Sequence, residues 1–195
     1  MKFENLTVGF AVTGSFCTLK KTVAHIRDLT ENGANVIPIM SEITYNTDTR
    51  FGKAEDFISE IKSITGNEII TSIKGAEPIG PKNILDALII APCTGNTLSK
   101  IALGMTDSCV AMAAKANLRN ENPLVIAVST NDGLGASAQN IAHLMNAKNV
   151  YFVPFGQDDA VKKPNSLVAD MSKIADTLDF ALSGRQIQPI LKVSK

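Results

Sequence analysis

Several short segments carry residues that could hold an anion, an aromatic ring or a carboxylate. Thr13-Gly14-Ser15-Phe16-Cys17-Thr18 sets a glycine between hydroxyl residues where an apolar run passes into a helical pattern. Gly14 lets the backbone turn tightly, and Ser15 and Thr18 offer hydroxyls. The open N–H groups at a helix start attract an anion, although the same residue types also serve as a plain helix cap. The turn has neither the three glycines of a dinucleotide site nor the Gly-Lys-Ser/Thr of a P-loop, so neither of those functions is supported. Ser41, followed by Thr44, could give a second hydroxyl to the same anion or be an ordinary loop serine.

Ala91-Pro92-Cys93-Thr94-Gly95-Asn96-Thr97 closes the most apolar run of the chain. Pro92 is expected to end the strand, Thr94 or Asn96 to cap the following helix, and the segment to offer a conjugated ring a flat wall with polar groups. Ser129-Thr130-Asn131-Asp132-Gly133 forms a similar polar turn, where Asp132 could act as a base or simply favour the turn. Arg50, in Thr47–Gly52, is a candidate clamp for a carboxylate. Lys82 and Lys163 are further candidates, while Phe155–Asp159 and Lys162–Ser166 read as a solvated loop. His25 and His143 fall inside expected helices away from strand ends, and neither recommends itself as a catalytic base. Cys93 lies near the ligand rim with no histidine to activate it. No metal-ligand spacing is present.

The elements that must position these residues follow from hydropathy patterning. Strand-length apolar runs at 6–12, 35–40, 84–91, 124–128 and 150–153 do not alternate polar and apolar residues, as expected of strands covered on both faces. A weak sixth strand is expected around Ile69–Thr71. Helical spacing joins Leu19, Val23, Ile26 and Thr30; Ala54, Phe57, Ile61 and Ile64; Leu98, Ile101, Ala102 and Met105; and Leu167, Met171, Ile174, Leu178 and Leu182. Val110–Ala116 reads as a helix of small side chains. Strands alternating with helices predict an α/β, Rossmann-like, three-layer fold with a mostly parallel sheet of five to six strands. One domain over residues 1–184 and a tail over 185–195 are expected, the tail having no clear element and being able to pack on a neighbouring subunit. The Gly/Pro-rich segment 75–81 reads as a loop, either a connector or a cover for the site.

Of the 195 residues, 45% are hydrophobic and 19% charged, which suits a packed core, and Lys+Arg equals Asp+Glu at 19 each. The lack of a basic surplus and the absence of Trp argue against a nucleic-acid partner. Cys17, Cys93 and Cys109 read as free thiols in a reducing compartment. No signal-like block and no apolar run near the roughly 20 residues of a membrane span are present, so a cytoplasmic protein without membrane contact is expected.

The Thr13-Gly14-Ser15 turn, Ser41 and the stretch Ala91–Ala102 resemble the flavoprotein family of homo-oligomeric flavin-containing decarboxylases and their relatives. The resemblance implies a homo-oligomer in which the Thr13–Thr18 turn and Ser41 hold the phosphate of FMN, or a phosphate or other anion in its place. Ala91, Pro92, Thr94, Asn96 and Thr97 would lie against the isoalloxazine ring, and Thr130 and Asn131 join the cofactor-binding set. The decarboxylases carry an active-site histidine near the second or third strand and a Pro-Ala-Met-Asn segment after strand five; this chain has no such histidine and has Ser129-Thr130-Asn131-Asp132 there. Flavin-dependent decarboxylation is thus the least favoured activity.

A second resemblance, to the dipicolinate-synthase branch of that family, covers nearly the whole chain. It runs through Asn46–Gly52, Ala76–Lys82, Met105–Ser108, Met112–Ala116, Ser129–Asp132, Pro154–Asp159 and Lys163–Ser166. It implies oxidation of a dihydrodipicolinate-type lysine-pathway intermediate, a small dicarboxylate, to dipicolinate in the mother cell of a sporulating bacterium. The partner would be the separate, NADP-binding A subunit of the synthase. Two roles remain open: an oxidoreductase subunit with Arg50 and Asp132 as catalytic candidates, or a non-catalytic assembly or substrate-binding partner of that A subunit.

Overall fold

The runs buried on both faces become the parallel core of the sheet. In the computed structural model, which describes residues 2–192, β1 (Thr7–Val12) leads through α1 (Phe16–Glu31) to β2 (Asn35–Met40). Then follow α2 (Glu42–Asn46), α3 (Ala54–Thr65) and α4 (Ile73–Ala76) before β3 (Ala87–Cys93). Next come α5 (Gly95–Ala102), α6 (Cys109–Arg119), β4 (Leu124–Thr130), α7 (Ala138–Met145) and β5 (Val150–Phe152). The chain closes with β6 (Phe155–Asp159), β7 (Lys163–Ala169), a 3-10 turn at Met171–Lys173 and α8 (Ile174–Leu182).

The order β2-β1-β3-β4, with β5 beside β4, joins these five strands in parallel. The connection turns back between β1 and β3, the place where an open α/β sheet opens a crevice at its carboxyl edge. α1 packs on β2 and β3 together with α3 and α8, and α6 packs on β2, β3 and β4 together with α4 and α5. Every residue from Ala87 to Cys93 is buried, as this middle position requires.

The mostly parallel α/β architecture is as the sequence predicts, but the sheet has seven strands. The surplus is an antiparallel hairpin where a solvated loop is expected. β6 pairs with β7, and β7 pairs with the late half of β4 at Ser129↔Val168 and Thr130↔Leu167. β4 thus shares one edge between two partners, parallel β5 along Leu124–Ile126 and antiparallel β7 at its end. Leu167 accordingly belongs to β7 and not to the last helix, its spacing from Met171 and Ile174 being a coincidence of phase. Pro92 does not end its strand either. A register shift between Ile90 and Cys93 absorbs the missing N–H, and Cys93 still pairs with Val128. The weak strand near Ile70 is reduced to one parallel bridge with Ile39. The Gly/Pro-rich segment is no open loop: α4 and a 3-10 turn at Glu77–Ile79 pack on α6.

The tail has local anchors within the chain. The Gln186 side chain accepts from the Phe152 N–H at 2.8 Å and donates to its carbonyl at 2.7 Å, imitating a strand on the free edge of β5. Ile187 is buried, and Leu191 makes a parallel bridge to Phe155.

Candidate functional site

Where β1, β3 and β4 end, their loops open into a cleft of about 1270 Å³, ample for a mononucleotide or a small-ring substrate. One wall is α1, presenting Cys17, Thr18, Lys21 and His25 at helical spacing; another is the β6–β7 hairpin with Asp158, Lys163 and Ser166. Arg50 and Phe51, and Asp170 and Lys192, also line the cleft.

The Thr13–Ser15 turn is built as an anion seat rather than a capped helix. Ser15 is the N-cap of α1 yet makes no side-chain cap, which leaves the Phe16 and Cys17 N–H groups open, while the Thr18 N–H donates to the Ser15 carbonyl at 3.0 Å. Its hydroxyl instead meets Ser129 Oγ at 2.8 Å and accepts from Thr18 Oγ1 at 3.0 Å. Thr13 points inward: its hydroxyl donates to the Pro92 carbonyl at 2.7 Å and accepts from the Thr94 N–H at 3.1 Å, tying the ends of β1 and β3 together. Ser41 donates its N–H to the Val12 carbonyl, so it lies beside the end of β1. Its hydroxyl, however, is 2.7 Å from that of Thr44, and Ser41 is not among the residues lining the cleft.

Along the floor, Thr94 caps α5 by accepting from the Thr97 N–H. Thr94, Gly95 and Asn96 line the cleft, while Ala91, Pro92 and Thr97 are buried beneath it. Gly95 is irreplaceable in this arrangement. A Cβ there would stand 2.7 Å from both Ser137 Oγ and Thr130 Oγ1 and 2.8 Å from Asp132 Oδ1. Those three side chains form a closed knot, in which Asp132 Oδ1 accepts from Thr130 Oγ1 and, at 2.9 Å, from Ser137 Oγ. The bond from Thr130 foremost, and that from Ser137, hold the Asp132 carboxyl below the usual carboxylate range against the opposing effect of burial. Asp132 is therefore an ionised acceptor that fixes the turn, and Asn131 projects beside it into the cleft.

Arg50 rides a tight turn closed by the Thr49 and Gly52 backbones, with Asp48 capping α3 just behind by accepting from the Ala54 N–H at 2.8 Å. Its guanidinium stacks 4.9 Å from the centroid of the Phe51 ring. Lys163 joins it in the cleft, paired with Asp158 at 2.5 Å, whereas Lys82 lies in the turn after Glu77–Ile79, outside the lining.

The sequence singles out none of Lys21, Asp170, Ser172 and Lys192, and it sets His25 aside, yet all of them line the cleft. Lys21 and His25 lie one turn apart on α1, a face visible only once α1's orientation is known, and Lys192 arrives from the tail. Burial lowers the His25 pKa, partly offset by Asp28 and Asp170. Asp170 is itself held below its usual range, foremost by the Ser172 hydroxyl and also by Lys192 and Lys173. The other thiols are inert by position: burial raises the Cys93 pKa strongly and pushes Cys109 up to about 11. Among the described residues no group of three or more His, Cys, Asp or Glu is placed to hold a metal ion, and no helix is long and apolar enough to cross a membrane.

Comparison with known proteins follows the same lines. Residues 2–183 match the family model described as Flavoprotein. The chain is 49% identical to the dipicolinate synthase B subunit of Bacillus subtilis over 94% of this chain and 92% of that protein. The crystal structure of the dipicolinate synthase B subunit from Bacillus halodurans superposes with a TM-score of 0.92 at 48% identity, covering 100% of both chains. An FMN complex of DmrB from Burkholderia xenovorans, a cubic protein cage for redox transfer, shares the fold with a TM-score of 0.69 at 16% identity, covering 92% of this chain and 96% of that one.

Proposed function

The chain is a member of the Flavoprotein family, and from that premise we propose that it acts as the B subunit of a dipicolinate synthase. In this role it presents a cyclic dihydrodicarboxylate for oxidation in the cleft at the strand ends. The observation that carries the reading is the pairing, in one cleft, of an uncapped helix start over Ser15 with the side-chain cations Arg50 and Lys163. The first suits a phosphate and the second suits carboxylates. The near-half identity with one chain of a dipicolinate synthase supplies the substrate class.

The residues present suit FMN. Gly14, Ser15 and Thr18 offer a tight turn with hydroxyls beside the open N–H groups of Phe16 and Cys17, with Ser41 behind it at the end of β1. Gly95 lets the Thr130–Asp132–Ser137 knot pack directly against the start of α5, and Thr94, Asn96, Thr130 and Asn131 flank the space where a flat ring would lie. Thr13, Ala91, Pro92 and Thr97 are buried and serve by shaping that floor. A bound flavin would supply an acceptor for two electrons from the ring. Arg50, with Lys163 in the same cleft, helps to neutralise the substrate carboxylates and orient the ring, which is the protein's own share of such a dehydrogenation. The A subunit, the partner that this role implies, would bring NADP, and a homo-oligomer is part of the proposal, as DmrB of the same fold forms a cubic cage; light scattering that returns a single-chain mass would remove that last element.

One observation favours a second reading. Asp132 is committed to Thr130 and Ser137 and held ionised, so the β4 turn offers no poised acid or base. In that reading the chain binds substrate and assembles with its NADP-binding partner, which alone performs the redox step.

FMN titration with absorbance and fluorescence tests the pocket. Binding is expected in the wild type and its loss in Ser15→Tyr; a protein that never takes up FMN overturns the flavin component. Reconstitution of the NADP-binding partner with and without this chain then separates the two roles. Full dipicolinate formation by that partner alone overturns the catalytic one.

A further inference from the structure

The tail, which the sequence leaves without an element, is fastened as a supplementary strand. Gln186 pairs with both backbone groups of Phe152. The Phe155 N–H donates to the Ile190 carbonyl at 3.0 Å, and the Lys192 N–H donates to the Phe155 carbonyl at 2.9 Å. Gly156 makes the last contact possible, since a Cβ there would stand 3.1 Å from Lys192 Cβ. The result is that Lys192 enters the cleft next to Asp170, with His25 and Ser172 also in the lining.

Lys192 is not used up there. Its ammonium lies 3.7 Å from Asp170 Oδ2, too far for a good hydrogen bond. Asp170 meanwhile accepts from the Ser172 hydroxyl at 2.7 Å and the Ser172 N–H at 3.3 Å. By contrast Lys163, which faces the ligand space from the hairpin, is tightly paired with Asp158 at 2.5 Å. A long, loosely paired ammonium inside a cleft is a ready partner for an incoming anion.

We propose that the Gln186–Lys192 segment is a working wall of the site, delivering Lys192 as a binding residue for one carboxylate of the ring substrate, in the same cleft as Arg50. This inference rests on the dicarboxylate reading given above and adds to it a residue and the element that holds it in place.

Calorimetric titration with pyridine-2,6-dicarboxylate in metal-free buffer tests it on the full chain and three variants. Lys192→Met leaves the backbone pairing intact. Gly156→Val keeps Lys192 but pushes the segment off β6. Lys148→Met removes an equal charge at a remote exposed site, where Lys148 pairs with Glu121. Lys192→Met and Gly156→Val are each expected to weaken the diacid by roughly five-fold or more, and Lys148→Met to leave it unchanged. FMN affinity is expected to stay the same in all three. Wild-type binding that Lys192→Met leaves untouched overturns the proposal alone, as does an equal loss in Lys148→Met, or a loss confined to FMN. A wild type that does not take the diacid overturns the substrate reading and the tail's role with it. Should Gly156→Val fail to fold, Lys192→Met decides by itself.

Discussion

Asp132 is the residue whose meaning changes most between sequence and structure. As a carboxylate in a polar turn it reads equally as a base or as turn chemistry; in the fold, two hydroxyls point at one of its oxygens and lower its pKa. A group whose folded pKa is depressed adds stability that is present above its unfolded value, about 3.9, and lost as pH falls through the folded value. Asp132→Asn should therefore be less stable than the wild type near neutrality, with the two converging in acid. Urea midpoints measured at pH 7 and pH 3 check this, and a gap of constant size would show that the carboxylate charge contributes nothing. The same locality explains which site residues were legible. Ser15, Thr94 and Asp132 announce themselves because turn and cap chemistry is written in adjacent residues. Lys21, His25 and Lys192 do not, because nothing local says which side of α1 faces the cleft or where the tail returns.

At the level of elements, the central strands were readable because β1, β3 and β4 are apolar on both faces, a pattern that helices and loops do not share. The hairpin was hidden for the opposite reason. Gln157 and Asp158 of β6 and Lys163, Pro164 and Asn165 of β7 are exposed, so the segment has the composition of a loop and gains its strand character only from pairing with β4 far away in sequence. Its anchor is Leu167, buried to 6% exposure and seated against Gly133, where a Cβ would stand only 2.6 Å from Leu167 Cγ. Leu167→Ala should cost about 2–5 kcal/mol and weaken ligand binding by loosening the wall that bears Lys163. Denaturant unfolding measures the first effect; a cost under about 1 kcal/mol would mean that the ladder alone holds the hairpin.

Across the whole molecule, the outer rims of the sheet share a property that none of the individual strands displays. β2 is met by a single bridge from Ile70, with Pro38 already lacking a donor. β5 is covered by the amide of Gln186, and β6 by Ile190–Lys192. Unpaired strand edges invite other chains to add to the sheet, the route to fibrils and amorphous precipitates. Three inexpensive closures, one of them a lone side chain, thus act as guards against misassembly at the concentrations reached in a packed cell. Gln186→Ala is expected to remain folded while clouding or binding an amyloid dye on prolonged warming at a concentration where the wild type stays clear. Equal clarity in the two proteins would move that protective duty elsewhere on the surface.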